Sequence, residues 1–212
     1  MHIPLIAHPA KRRTRLAAVA LLVLATGLSA LVPQVASAAN TETMVQAGGV
    51  DFERSLTLGG QPLVLNGAGV RAVAIFKGYA AGLYLPQRVR SADAATVQPG
   101  PKRLRMRLLR DVPAEEFVKA FHLGLERNSP GQGPALAERA QAFDKILQSI
   151  GTVRKSDEVL MDFLPGQGLL FSHNGRLLGA PISGDDFYSA LLRVFLGEHV
   201  ADERLRAGLL GG

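Results

Sequence analysis

Beyond an apolar N-terminal run, two periodicities divide the chain. Short runs of apolar and β-branched residues fill positions 50–58, 62–65, 70–76 and 79–85, and the pairs Gly59-Gly60, Asn66-Gly67 and Lys77-Gly78 punctuate them as turns would. The pattern predicts four strands. After a loop rich in Ala, Pro and Gly, Arg103, Arg105 and Arg107 alternate with Leu104, Met106 and Leu108. A period of two predicts a strand with one apolar face and one wet, basic face.

Helical spacing follows. Asp111-Val112-Pro113 opens a segment in which Phe117, Phe121, Gly124 and Leu125 share a stripe, and Leu136, Ala140, Phe143, Leu147 and Ile150 mark a second. Residues 128–134, dense in Gly and Pro, break the two apart. Strands resume at 158–163, 169–173 and 176–182, the last two joined by Asn174-Gly175, a strong hairpin signal. Asp185 and Asp186 suit a helix N-terminus, and Phe187, Leu191, Val194 and Phe195 supply its apolar face until Gly197 stops it. Antiparallel strands with packed helices predict an α+β domain.

The N-terminal run changes the accounting. Lys11-Arg12-Arg13-Thr14-Arg15 leads into apolar residues 16–31 and then Ala36-Ser37-Ala38. Basic end, apolar middle and small-residue exit read as a secretory signal over residues 1–38, cut after Ala38, and leave one domain over 39–212. A retained anchor is the lesser reading, because Thr26, Gly27 and Ser29 interrupt the run. Arg12-Arg13 hints at twin-arginine export, but Arg15 stands where that signal prefers an apolar residue, so the general route is expected. The expected product is a soluble protein of the periplasm or the medium.

The leader holds four of the 24 basic residues and none of the 18 acidic ones, so the formal charge falls from +6 to +2 on its removal. Most of the basic character belongs to the leader, and net charge argues against a nucleic-acid partner. The absence of cysteine excludes disulfides, thiolate zinc sites and a cysteine nucleophile.

Between Ser55 and Phe76 the chain carries one charge, Arg71, which follows Gly67-Ala68-Gly69-Val70. An arginine keeps its proton inside a protein, so a guanidinium among apolar neighbours needs an acceptor. That makes Arg71 the candidate for gripping an anionic or enolate-like oxygen, the alternative being an internal acid such as Asp51 or Asp162. Gly67-Ala68-Gly69-Val70-Arg71-Ala72 formally fits a dinucleotide fingerprint, but that motif requires a helix after the glycines and this segment is strand-like. No cofactor is implied.

Leu65-Asn66-Gly67-Ala68-Gly69-Val70-Arg71, followed by Lys77-Gly78-Tyr79-Ala80-Ala81-Gly82-Leu83-Tyr84-Leu85, resembles the glycine-rich arginine strand and next strand of the chalcone isomerase-like proteins, in their exported bacterial branch. Gly184-Asp185-Asp186-Phe187, Phe195-Leu196-Gly197 and Leu209-Leu210-Gly211 are similar to the bacterial members as well. The resemblance implies an open-faced β-sandwich, in which a large antiparallel sheet and a layer of helices enclose a pocket for a flat or elongated apolar ligand. In the plant enzymes of the family the arginine stabilises charge on the substrate while a phenol adds to an enone and closes a ring. A fixed, always-charged donor fork suits that work.

Arg71 matches that arginine, but the enzymes carry threonine where this chain has Tyr79, and their helical tyrosine and asparagine have no match; Phe117 and Gly124 stand closest. Non-catalytic members resemble fatty-acid-binding proteins, with the arginine and a tyrosine on a carboxylate. The resemblance thus implies binding of a lipophilic acid by Arg71 and Tyr79 first, ring-closing isomerisation with Arg71 and Tyr79 second, and a ligand-free structural role in the envelope third. Tyr84, five residues from Tyr79, falls on the opposite strand face.

The remaining candidates have simpler readings. His122, His173 and His199 lie on separate predicted elements without ligand-like spacing, so no metal site is expected. Ser172 and Ser183 lack the glycine pattern of a nucleophile elbow. The Arg103, Arg105, Arg107 stripe, extended by Arg110 and Lys102, reads first as a solvated sheet face and second as a weak contact for an anionic membrane surface. Phe117, Phe121, Phe143, Phe187 and Phe195 read as core, some of them roofing the pocket.

Overall fold

The computed structural model describes residues 44–73, 76–131 and 133–212, and the leader with its cleavage point lies outside them. In chain order the elements are β1 (Met44–Ala47), β2 (Val50–Glu53), β3 (Ser55–Leu58), β4 (Gln61–Val73), β5 (Phe76–Leu85), α1 (Ala92–Val97), β6 (Lys102–Leu108), β7 (Val112–Pro113) and α2 (Ala114–Asn128). They continue as α3 (Pro134–Gln148), β8 (Thr152–Val153), β9 (Glu158–Leu164), β10 (Gly168–His173), β11 (Arg176–Ile182), α4 (Asp185–Leu196) and α5 (Glu203–Leu209). A seven-stranded sheet in the order β11-β10-β9-β6-β5-β4-β3 is antiparallel throughout. This is the expected α+β architecture.

Each sheet face has its own cover. Leu104, Met106 and Leu108 of β6, with Ala81, Leu83 and Leu85 of β5, point into a core closed by α2, α3 and α4. Phe121, Phe143 and Phe187 meet there edge to face, with ring centroids 5.0–6.3 Å apart. On the other face the β1–β2 hairpin lays Phe52 over Ala80 and Tyr84, and Gly82 gives Phe52 room because a Cβ there would overlap its ring.

Several boundaries differ from the sequence pattern. Asn66-Gly67 is no turn: β4 runs through it, with a bulge between Leu65 and Gly67. The Asn66 side chain is buried and bonded on both sides, its Nδ2 donating to the Leu209 carbonyl at 2.7 Å and its Oδ1 accepting from the Val89 N–H at 2.7 Å. Tertiary partners replace the turn bonds that Asn would otherwise make. Lys77-Gly78 lies inside β5, residues 50–58 split at Arg54 into two strands, and the loop after Leu85 contains α1.

Two of the three arginines in the β6 stripe, Arg103 and Arg105, are not left to solvent. Register places Arg103 opposite Asp162, and the two form a bidentate pair with both bonds at 2.6 Å. Arg105 donates to Glu158 and to Glu53, each at 2.7 Å. Lys102 belongs to the opposite, apolar face, where it is buried with its ammonium 4.9 Å from the Phe163 ring centroid. Lys102 therefore does not extend the stripe, and the half-buried arginines Arg103 and Arg105 are neutralised within the chain.

Candidate functional site

Gly67 and Gly69 carry no side chain because α5 lies against them. A Cβ on Gly67 would collide with the backbone of Gly208 and Gly211, and one on Gly69 would press on Leu205 at 3.2–3.3 Å. Neither glycine needs a left-handed conformation; what they supply is space. The glycine-rich strand is thus a seat for the C-terminal helix, an element that the sequence reading did not predict.

That seating brings Asp202 to Arg71. Asp202 is the N-cap of α5, its Oδ1 accepting from the N–H groups of Arg204 and Leu205 at 3.0 Å each. Its Oδ2 accepts from the Ala72 N–H at 3.0 Å and from Arg71 Nη1 at 3.2 Å. Burial pushes the Asp202 carboxyl upward, but those backbone donors and Arg71 outweigh it and hold it below the ordinary carboxylate range. The internal acid on Arg71 is therefore neither Asp51, which bonds Gln46, nor Asp162, which bonds Arg103.

Asp202 takes only part of the guanidinium. Nη1 serves both Asp202 and the Ala72 carbonyl, whereas Nε and Nη2 have no hydrogen-bond partner among the described residues. Directly across the ladder, Tyr79 pairs with Arg71 in register, and its ring lies 6.3 Å from that of Phe117. Among the described residues the Tyr79 hydroxyl also has no partner. Burial raises its pKa above the ordinary phenol value, with Arg71 opposing and Asp202 reinforcing, so it stays a protonated donor.

Arg71 and Tyr79 both face a cavity of about 660 Å³ between the sheet and the helices, within the ~300–1,000 Å³ common for small-molecule sites. Phe117, Phe121 and Phe195 roof it, Met106, Met161 and Phe171 floor it from the sheet, and Phe143 closes its inner end, while Phe187 stays in the core. Its charged lining is Arg71, Arg110, Lys119 and Arg127 against Glu116 and Asp202. The balance favours an anion.

Tyr84 takes no part. It is buried beneath the hairpin with its hydroxyl 3.5 Å from Glu53, and burial, then the Glu53 charge, push it up to about 12. Gly124 lets α2 meet α4, since a Cβ there would overlap Val194. His122 pairs with Asp144 and His173 with Asp157, each at 2.7–2.8 Å on separate parts of the surface. Asp202 was the functional neighbour missed from sequence, and its signal was the capping pattern Asp202-Glu203-Arg204-Leu205 that opens the short helix α5.

A family model described as chalcone isomerase-like matches residues 44–211. Among solved structures, an Arabidopsis thaliana fatty-acid binding protein superposes with a TM-score of 0.59 at 16% identity, covering 80% of this chain and 93% of that one. At that identity the likeness establishes the fold. No curated protein sequence matches the chain.

Proposed function

This chain belongs to the chalcone isomerase-like family and has its fold, and from that premise we propose that it binds a lipophilic acid without transforming it. The carboxylate is held by Arg71 Nε and Nη2 together with the Tyr79 hydroxyl, and the tail lies among the phenyl and methionine side chains of the cavity. The observation that carries this reading is that Arg71 Nε and Nη2 and the Tyr79 hydroxyl, opposite each other across β4 and β5 at an apolar chamber, have no partner among the described residues. A charge-assisted hydrogen bond in such a setting is among the stronger ones. The fatty-acid binding of the Arabidopsis neighbour agrees with this choice of ligand class.

Asp202 does not oppose the anion as a bare charge would. Its two oxygens already accept four hydrogen bonds, three of them from backbone N–H groups, so its charge is largely compensated where it stands. Ring-closing isomerisation has less support, because Phe117 and Gly124 offer no donor or acceptor on the helical wall. The leader pattern of residues 1–38 supports export, and the protein acts in the periplasm.

Calorimetric titration with dodecanoate and hexadecanoate, for the wild type and Arg71→Ala, tests the proposal. A sharp loss of affinity in the variant is expected. Equal affinities, or no binding by either, would remove it, and turnover of a chalcone that depends on Arg71 would put the isomerase in its place.

A further inference from the structure

The cavity opens along one stripe of α2. Glu116, Lys119, Ala120, Leu123 and Arg127 succeed one another at helical spacing, are all exposed, and all line the cavity. Across the opening stand Phe76, at the start of β5, and Arg110. Phe76 is 60% exposed and Leu123 40%, and both border the apolar cavity. Among the exposed residues of this lip, Arg110, Lys119 and Arg127 are cationic and Glu116 alone is acidic.

Exposed apolar side chains ringed by cations, at the mouth of an apolar chamber, match the chemistry of one kind of partner. We infer that this lip docks on a lipid bilayer carrying anionic headgroups, with Phe76 and Leu123 entering the headgroup region and Arg110, Lys119 and Arg127 lying on the phosphates. A protein partner would need a shaped apolar surface to cover Phe76 and Leu123, whereas a bilayer accepts isolated side chains and rewards cations of any spacing. Docked in this way, the cavity faces the membrane, and an amphiphile passes between the two without crossing bulk water. The surface shares only Arg110 with the basic stripe read from the sequence, whose Arg103 and Arg105 are paired internally. The inference does not require the ligand to be an acid, so it stands apart from the proposed function.

The chain contains no tryptophan, so a single one reports its own surroundings. Full-length Phe76→Trp is mixed with vesicles of phosphatidylcholine alone and of phosphatidylcholine with an equal part of phosphatidylglycerol. Val97→Trp, at a site on α1 that is 73% exposed and does not border the cavity, serves as the control. The expected result is a shift of the Phe76→Trp emission to shorter wavelength on the anionic vesicles, little on the neutral ones, and none at ~1 M salt, where the Debye length is about 3 Å. Lys119→Glu with Arg127→Glu abolishes the shift, and because both side chains are exposed the circular dichroism of that variant stays that of the parent.

An equal shift on both vesicle types, no shift on either, or a matching shift from Val97→Trp overturns the inference. A shift that grows with protein concentration without vesicles does so too, and assigns the lip to a second copy of the chain. Dodecanoate added without vesicles separates docking from ligand capture: Arg71→Ala suppresses any signal from the soluble acid and leaves the vesicle shift in place.

Discussion

Arg71 and Asp202, 131 positions apart, meet at 3.2 Å through a single guanidinium nitrogen, and the same carboxylate caps α5 and accepts from the Ala72 N–H. One side chain thus seats the last helix and shares the cation that faces the cavity. Asp202→Ala removes the cap and leaves the Ala72 N–H unpaired, which should lower stability to urea by about 1–3 kcal/mol. Asp202→Asn keeps a capping oxygen and should lower it less. Both changes release Arg71, so titration with dodecanoate should show tighter binding than the wild type even as the unfolding midpoint falls. Weaker binding in Asp202→Asn would mean that the carboxylate positions Arg71 rather than competing for it.

Tyr79 and Tyr84 give a second contrast, since parity on β5 sends the first to the cavity and the second under the β1–β2 hairpin. Tyr79→Phe deletes a hydroxyl without a partner among the described residues, so stability should hold or rise slightly. Affinity for dodecanoate should fall about tenfold, the effect of losing ~1.4 kcal/mol from one hydrogen bond to a charged group. Tyr84→Phe should leave that affinity unchanged. Calorimetry on the two variants side by side decides it, and equal losses would place the ligand elsewhere.

How far the sequence disclosed this arrangement depends on the range of the interactions involved. The alternation of β6, the Asn174-Gly175 hairpin and the stripes of α2 and α3 are local patterns, and each appears where the spacing predicts. The parity that separates Tyr79 from Tyr84 is local as well. Asn66-Gly67 failed as a turn because its bonds go to Leu209 and Val89, partners no neighbouring residue announces. The stripe of Arg103 and Arg105 looked solvated because Glu53, Glu158 and Asp162 reach it only through strand register and the folded-over hairpin. Arg71 was legible as a cation needing an acceptor; that Asp202 supplies half of one follows from the docking of a seven-residue helix too short to show a clear period.

Gly67 carries the tightest of those long-range constraints. A methyl group there meets backbone of Gly208 and Gly211, which cannot turn aside as a side chain could, so Gly67→Ala must push α5 off β4. Urea unfolding should show a loss of about 3 kcal/mol, at the upper end for overpacking, and dodecanoate binding should change with it as Asp202 leaves Arg71. Gly133→Ala, where φ is −73° and nothing lies within 4 Å of the added carbon, should cost no more than about 0.5 kcal/mol. Similar losses in the two variants would show that α5 has slack.

Asp157 sets an acid limit on the β10–β11 end of the sheet. Burial raises its carboxyl, yet donors from the Asn174 side chain, the Arg154 N–H and His173 outweigh that and bring it down to about 2. A carboxyl depressed in the folded state stabilises the fold above its unfolded pKa of ~3.9, and the contribution disappears as pH falls through the folded value. Solvent screening at this surface position limits it to about 1 kcal/mol. Asp157→Asn should therefore be less stable than the wild type at about pH 7 and at about pH 5, and the gap should close between about pH 4 and about pH 2. Urea titrations of both proteins across that range test the assignment, and a gap that persists below about pH 2 would show that the asparagine disturbs the hairpin by its shape and not by its missing charge.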